Sequence, residues 1–201
     1  MKRLLSLFIL FSLTLTSAFA DNASDARKVL DKTASMVVKK GGAVASFSIS
    51  GGKIGKQSGT ISIKGNKFCA STGAATIWYN GKTQWTYVKA NDEVNVSSPK
   101  ASQQQVMNPY YFLNIYKKGY TLSVNTQGKN KVVHMVAQGK KSIQEAYITV
   151  TPDGTPTQIR MKQQGGWITI LISKFQQKSL SDSSFTFNSK DYPHAEIIDL
   201  R

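Results

Sequence analysis

The sequence predicts a mainly β, α+β domain: an incomplete antiparallel β-barrel of about eleven strands, with helices covering its concave face. Three observations predict it. Residues 59–96, GTISIKGNKFCASTGAATIWYNGKTQWTYVKANDEVNV, alternate short β-prone runs with Gly65-Asn66, Thr72-Gly73 and Asn80-Gly81 turn signals, the pattern of a β-meander. Strand-like runs occur on both sides of one short helical segment without βαβ alternation, which argues for antiparallel pairing. The meander also carries Phe68, Trp78, Tyr79, Trp85 and Tyr87, and that much aromatic surface requires a cover.

In chain order, Met1-Lys2-Arg3, the apolar run Leu4 to Leu15 and Ala18-Phe19-Ala20 form a basic, apolar and small-x-small series. This reads as a secretory signal peptide cleaved after Ala20, since about 12 apolar residues are too few to span a bilayer. Residues 21–201 then form a single exported domain. Residues 21–40 read as a helix, centred on 24–38, which Asn22 or Ser24 can cap. Ala26, Val29, Leu30, Thr33, Met36 and Val37 share one of its faces, and Gly41-Gly42 ends it. Ala43 to Ser50 alternates as a strand and leads through a Gly/Lys turn into the meander.

Residues 97–109 lose the pattern and form a long connection. Asn108-Pro109 is a well-formed helix start, opening a short helix over 109–117 that Gly119 ends. Strand runs resume at Tyr120, with a Pro152-Asp153-Gly154 turn among them. In the last long run Trp167, Thr169, Leu171, Ser173 and Phe175 fall on one face and Ile168, Ile170 and Ile172 on the other. Phe185-Thr186-Phe187 reads as a final short strand, followed by a tail through Pro193 to Arg201.

The formal charge is +15, of which Lys2 and Arg3 belong to the signal segment. Of the 26 basic residues only four are Arg, the usual reader of bases, and no basic run exceeds two residues, so a nucleic-acid partner is not expected. The charge serves solubility, or attraction to anionic headgroups or an acidic partner. Cys69 is the single cysteine, so no internal disulfide or Cys-based metal site is possible, and it reads as a small hydrophobe on a strand.

Catalytic patterns are absent from the sequence. Between Lys32 and Ser181 the carboxylates are Asp92, Glu93, Glu145 and Asp153. The first two are adjacent and Asp153 is a turn residue, which does not give a paired acid–base site. His134 lies within a strand run and His194 follows a proline, both read as structural. There is no Gly-x-Ser-x-Gly, phosphate-binding glycine loop or His-x-x-x-His. No enzyme activity, metal or cofactor is expected. What remains is apolar surface, which either closes a core or holds an apolar ligand.

The order of elements, and especially Asn80-Gly81-Lys82-Thr83-Gln84-Trp85-Thr86-Tyr87 followed by Glu93-Val94, resembles the LolA family of periplasmic outer-membrane lipoprotein carriers. Asn108-Pro109 and Phe185-Thr186-Phe187 are similar too, and the resemblance covers essentially the whole exported chain. It implies a periplasmic chaperone that takes lipoprotein acyl chains into an apolar cavity. It also implies an inner-membrane ABC transporter complex as donor and, in organisms that have one, an outer-membrane receptor as acceptor, with the carrier acting as a monomer. The cavity lining expected on this basis is Ile61, Ile63, Phe68, Ile77, Tyr79, Trp85 and Tyr87 from the sheet, with Leu30, Tyr110 and Leu113 from the helices. Trp78 is the alternative to Ile77. The family has an Arg-Pro whose arginine ties the lid helices shut. The matching place here reads Lys64-Gly65-Asn66, leaving Lys64 or Lys67 as the nearest replacement donors, and a usual tryptophan is Ala70. A divergent carrier is therefore expected. The other readings are a same-fold module for another lipid or glycolipid, and an envelope-sensing protein-interaction domain.

Overall fold

Short β-prone runs separated by tight Gly/Asn turns pair most readily with their sequence neighbours, and hairpin after hairpin produces a meander. In the computed structural model, which describes residues 22–37, 41–52, 55–100 and 114–201, six such strands follow one helix, α1 (22–37). They are β1 (Ala43–Gly51), β2 (Gly55–Lys64), β3 (Lys67–Thr72), β4 (Ala75–Tyr79), β5 (Gln84–Val88) and β6 (Glu93–Ser97). A second meander contains β7 (Tyr120–Gln127), β8 (Asn130–Ala137), β9 (Glu145–Val150), β10 (Pro156–Gln163) and β11 (Gly166–Gln177). β11 returns to pair with β1, so the two meanders merge into one sheet, and β12 (Glu196–Asp199) adds to β6 as a parallel edge strand. The order is β12-β6-β5-β4-β3-β2-β1-β11-β10-β9-β8-β7, an open twelve-stranded sheet matching an incomplete barrel.

Several local expectations change. The signal segment 1–20, Tyr110, Leu113 and the start of the 109–117 helix lie outside the described residues; the described end of that helix is a 3-10 turn, Ile115–Lys117. Phe185-Thr186-Phe187 is not a strand, because Phe185 ends a 3-10 turn (Asp182–Phe185) and is completely buried. The last strand is β12, a four-residue strand inside what the sequence pattern leaves as tail. Asn80-Gly81 is not a two-residue turn either. The connection spans Asn80 to Thr83, with the Asn80 side chain accepting from the N–H groups of Lys82 and Thr83 at 3.0 and 2.9 Å, and only Gly81 there has positive φ. In β11 the alternation breaks at Lys174, whose φ of 51° lies where the β1–β11 register shifts. One extra residue reverses the facing of the residues beyond it. Phe175 therefore packs with the inner residues instead of with Trp167 and Leu171.

α1 lies on one face of the sheet, here the inner face. Ala26 and Leu30 join Leu122, Val133, Met135, Ala146, Ile148, Met161 and Ile168 in a cluster over β7–β11, capped by Tyr116 and Tyr120. Val37, at the other end of α1, packs with Ile63, Phe68 and Tyr79 over β2–β4. The helix thus spans both halves of the sheet. Asn22 does not simply cap it: its carboxamide accepts from Val124 N–H at 2.7 Å and donates to Val124 C=O at 3.1 Å, bonding the free edge of β7. Asp31 accepts from the Tyr116 hydroxyl, Lys32 donates to Pro152 C=O and Gln177 donates to Met36 C=O. Burial and the Asp31 bond push the Tyr116 hydroxyl well above its ordinary pKa.

Candidate functional site: the inner face beside the helix

The register decides which side chains share a wall, since partners across a ladder project to the same side. Ile63, Phe68, Tyr79 and Gln84 form one row, and Ile61, Ala70, Ile77 and Thr86 form the next row on that same face. β1 and β11 extend it through the Phe47–Ile172 pair. Ile63, Phe68 and Tyr79 are buried, with the Phe68 and Tyr79 rings 5.6 Å apart, and Val37 of α1 closes over them. Ile61, Ala70, Ile77, Phe47 and Ile172 are only half-buried. Ile61, Ala70 and Ile77 pack against that cluster and, with Phe47 and Ile172, continue it along the inner face as a strip of half-buried apolar side chains among the described residues.

Of the ten expected lining residues, six share this side: Ile61, Ile63, Phe68, Ile77 and Tyr79 on the sheet, and Leu30 on α1. Leu30 belongs to the β7–β11 cluster and not to the strip. Trp85 and Tyr87 do not join them. Trp85 pairs with Trp78, and Tyr87 with Thr76, on the opposite, outer face. The parity between Ile77 and Trp78, open in the sequence, places Ile77 inside and Trp78 outside.

The outer face has its own cover, the segment 180–192. Phe187 and Tyr192 pack on Trp78 with ring centroids 5.6 Å away in each case, and Tyr192 lies 4.5 Å from Tyr87. The Tyr87 hydroxyl donates to Asp92, a bond that raises its pKa. Burial on this face also raises the pKa of the Cys69 thiol. Lys64 and Lys67 fix the segment: each reaches Asp182 at 2.9 Å, and Lys64 also donates to Leu180 C=O at 2.8 Å. Both lysines pair with each other across the β2–β3 hairpin, on the same outer face as the Ser62–Cys69 pair. The expectation that either replaces the lid-locking arginine is thus corrected by side-chain direction: among the described residues they strap down the C-terminal segment, on the face away from α1. A cleft of about 370 Å³ lies beside the strap, lined by Trp78, Tyr192, Asp191, Asn188 and hydroxyls of Ser183, Ser184 and Thr186, a polar lining unsuited to acyl chains.

The outer face of the second meander is polar. His134 Nε2 and the Tyr147 hydroxyl share Glu145 Oε1 at 2.8 and 2.9 Å, bonds that hold the Glu145 carboxyl below its usual range. The imidazole stacks on Tyr147 at 4.3 Å, and Arg160 lies 5.2 Å from the Trp167 ring. These groups satisfy one another along neighbouring strands, a structural ladder on a solvent-facing wall.

The described residues thus form an open, almost wholly antiparallel sheet with one helix on its inner face beside an apolar strip. The chain belongs to the outer membrane lipoprotein carrier protein LolA family, matching it over residues 16–166. In fold it is similar to an uncharacterized conserved protein from Thermus thermophilus, with 12% identity, a TM-score of 0.58, and coverage of 87% of this chain and 99% of that one. It also matches a LolA superfamily protein from Nitrosomonas europaea, at 12% identity and a TM-score of 0.45, covering 81% of this chain and 97% of that one. A third match is to the MucA/MucB complex of Pseudomonas aeruginosa, at 10% identity and a TM-score of 0.48, covering 83% of this chain and 62% of that one. The comparison with curated proteins gives no match.

Proposed function

We propose that this protein is a periplasmic carrier, exported by its first 20 residues, that shelters lipoprotein acyl chains between α1 and the inner face of the sheet. It takes cargo from an inner-membrane ABC transporter complex and delivers it toward the outer membrane, to a receptor where one is present. No bond is made or broken. The observation that carries the reading is the half-buried strip Ile61, Ala70, Ile77, Phe47 and Ile172, which extends the closed cluster beneath Val37 along the inner face. Partial cover suits reversible transfer. Burying about ten methylenes at roughly 0.8 kcal/mol each supplies about 8 kcal/mol, equivalent to about micromolar affinity before ordering costs. A sealed cavity enclosing several chains would hold its cargo too tightly for handover.

The test uses Ile77→Glu, because Ile77 is half-buried and a charge there enters the strip; Phe68, 3% exposed, is too embedded for a clean result. The variant should lose co-purifying triacylated lipoprotein, read by mass spectrometry, and lose uptake of an apolar dye. Leu171→Glu, on the outer face at a residue 49% exposed, should lose neither. Retention of lipoprotein by Ile77→Glu overturns the reading, and free phospholipid or glycolipid in its place redirects it to a different cargo.

A further inference from the structure

The half-covered strip points toward one end of the sheet. In β2, β3 and β4 the closed residues Ile63, Phe68 and Tyr79 lie beside the β2–β3 turn, while Ile61, Ala70 and Ile77 lie one step toward the opposite end. That opposite end also carries the β1–β2 connection, the start of β7 and the β8–β9 loop. Four lysines gather there. Lys117 and Lys118 close the 3-10 turn ahead of β7, and Lys140 and Lys141 lie in the β8–β9 loop. The two loops are locked together. Gln138 N–H donates to Gly119 C=O at 2.9 Å, and a Cβ on Gly119 would lie 2.7 Å from Lys141 Nζ.

All four side chains are exposed, and none forms an ion pair among the described residues. The local sequence supplies no compensation, with no Asp or Glu between Glu93 and Glu145 but seven lysines, and the carboxylate that the fold brings to Tyr116, Asp31, is bonded to the Tyr116 hydroxyl. Glu145 itself is taken up by His134 and Tyr147.

We propose that this lysine rim docks the protein, with the end of the sheet toward which its apolar strip extends foremost, onto an anionic lipid bilayer surface. The proposal rests on the carrier reading for its purpose, although adsorption itself needs no acyl chain. Lysine ammoniums are hydrated point charges without fixed geometry. They suit the diffuse charge of headgroups, whereas a specific acidic protein surface calls for bidentate arginines and aromatic anchors, which this rim does not present among the described residues. Each lysine near such a surface is worth about fivefold in binding at low salt, so four together give several hundred-fold. This places the strip at the surface where acylated cargo is exchanged.

The experiment is flotation of the purified exported chain with vesicles of phosphatidylcholine containing about 30% phosphatidylglycerol, and with phosphatidylcholine alone, at about 50 and 300 mM salt. The natural protein should bind the anionic vesicles only, and more weakly at high salt. The variant K117E/K118E/K140E/K141E should lose at least about tenfold in binding. The variant K82E/K129E/K131E/K178E makes the same change in net charge at the opposite end and should lose no more than about threefold. Equal losses in the two variants, unimpaired binding by the first, or no binding by the natural protein would each overturn the proposal. Anionic-vesicle binding that is insensitive to the first variant, alongside lost capture of an acidic protein, would reassign the rim to a protein partner and overturn it too. Ile77→Glu should still bind the vesicles, so failure of the docking proposal and failure of the carrier reading give different results.

Discussion

Replacing Asn22 with Ala tests how α1 is held. The Asn22 carboxamide makes two bonds to the backbone of Val124, at 2.7 and 3.1 Å, acting as a one-residue extension of the sheet at the free edge of β7. Each such bond is worth about 1 kcal/mol net, because water replaces it when it breaks. Losing both should favour release of the helix start by about 2 kcal/mol, roughly a 30-fold change in the local opening equilibrium. The rest of the helix has a different anchor: Leu30 and Val37 are 3% and 5% exposed. Burial of each contributes about 1.5–3 kcal/mol, so the whole helix should not lift when the Asn22 bonds are removed. Hydrogen exchange with mass spectrometry is the assay. Amides of the first two turns of α1 should exchange up to about 30-fold faster in Asn22→Ala, with those near Val37 and in β8–β10 little changed. Unchanged exchange in the first turns would show that the edge bonds carry no load. An equal acceleration throughout the sheet would show that α1 opens only by global unfolding, which would refute the argument that Asn22 holds the helix start separately.

The strap should be sensitive to acid. Hydrogen bonds and charge from Lys67 and Lys64 hold the Asp182 carboxyl at about 2, below its ordinary 3.8. A carboxyl depressed in the folded state contributes stability that is present above its unfolded value and lost as pH falls through the folded one. Lowering the pH from about 4 to 2 should therefore loosen 180–192 and change Trp78 fluorescence, whereas Asp182→Asn should be loosened already and show no transition specific to that window; an identical acid transition in both proteins would exclude the clamp. Gly59→Ala should destabilise the fold by about 1–3 kcal/mol, since the added Cβ would sit 2.0 Å from Ser71 C=O and 3.0 Å from the Phe47 ring, while Gly73→Ala meets nothing within 4 Å and should be much milder, a contrast to be read from denaturation midpoints.

The architecture was legible because local signals agreed: turn residues marked the hairpins, and the amphipathic pattern of 21–40 marked α1. The inward row Val133, Met135, Ala146 and Ile148 follows from plain alternation. Other features were hidden for identifiable reasons. The return of β11 to β1 is a non-local pairing with no short-range signature. The bulge at Lys174 reverses Phe175 without a glycine to announce it. β12 is four residues long, borrows its backbone partners from β6 and leaves Ile197 largely exposed, so its own sequence carries little strand signal. Asn22 presents as a helix cap because an Asn side chain offers the same oxygen to a helix start or to a strand edge, and only the position of β7 decides between them.

The candidate site shows how aromatic content can mislead. Strands covered on one face alternate apolar and polar residues, while strands covered on both read as continuous apolar runs. Ile77-Trp78-Tyr79 is such a run, and its physical cause is double cover: α1 and its cluster on the inner side of Tyr79, the C-terminal strap on the outer side of Trp78. Among the described residues no segment straps the outer side of β9 and β10, whose outer positions are polar or amphipathic, as at Glu145, Tyr147, Arg160 and Lys162. The large rings of the first meander therefore divide between two jobs. Phe68 and Tyr79 close one end of the inner strip, whereas Trp78 and Tyr87 seat the strap and lie on the wrong side of the backbone to touch anything held beneath α1. The same parity separates the two fastenings. Lys64 and Lys67 point outward to Asp182, whereas among the described residues the hydrogen bonds that fasten α1 are made at Asn22, Asp31, Lys32 and Met36, spread along its length. Burial follows the same length, from Ala26 and Leu30 to Thr33 and Val37, so removing one fastening loosens α1 locally and leaves its other turns held.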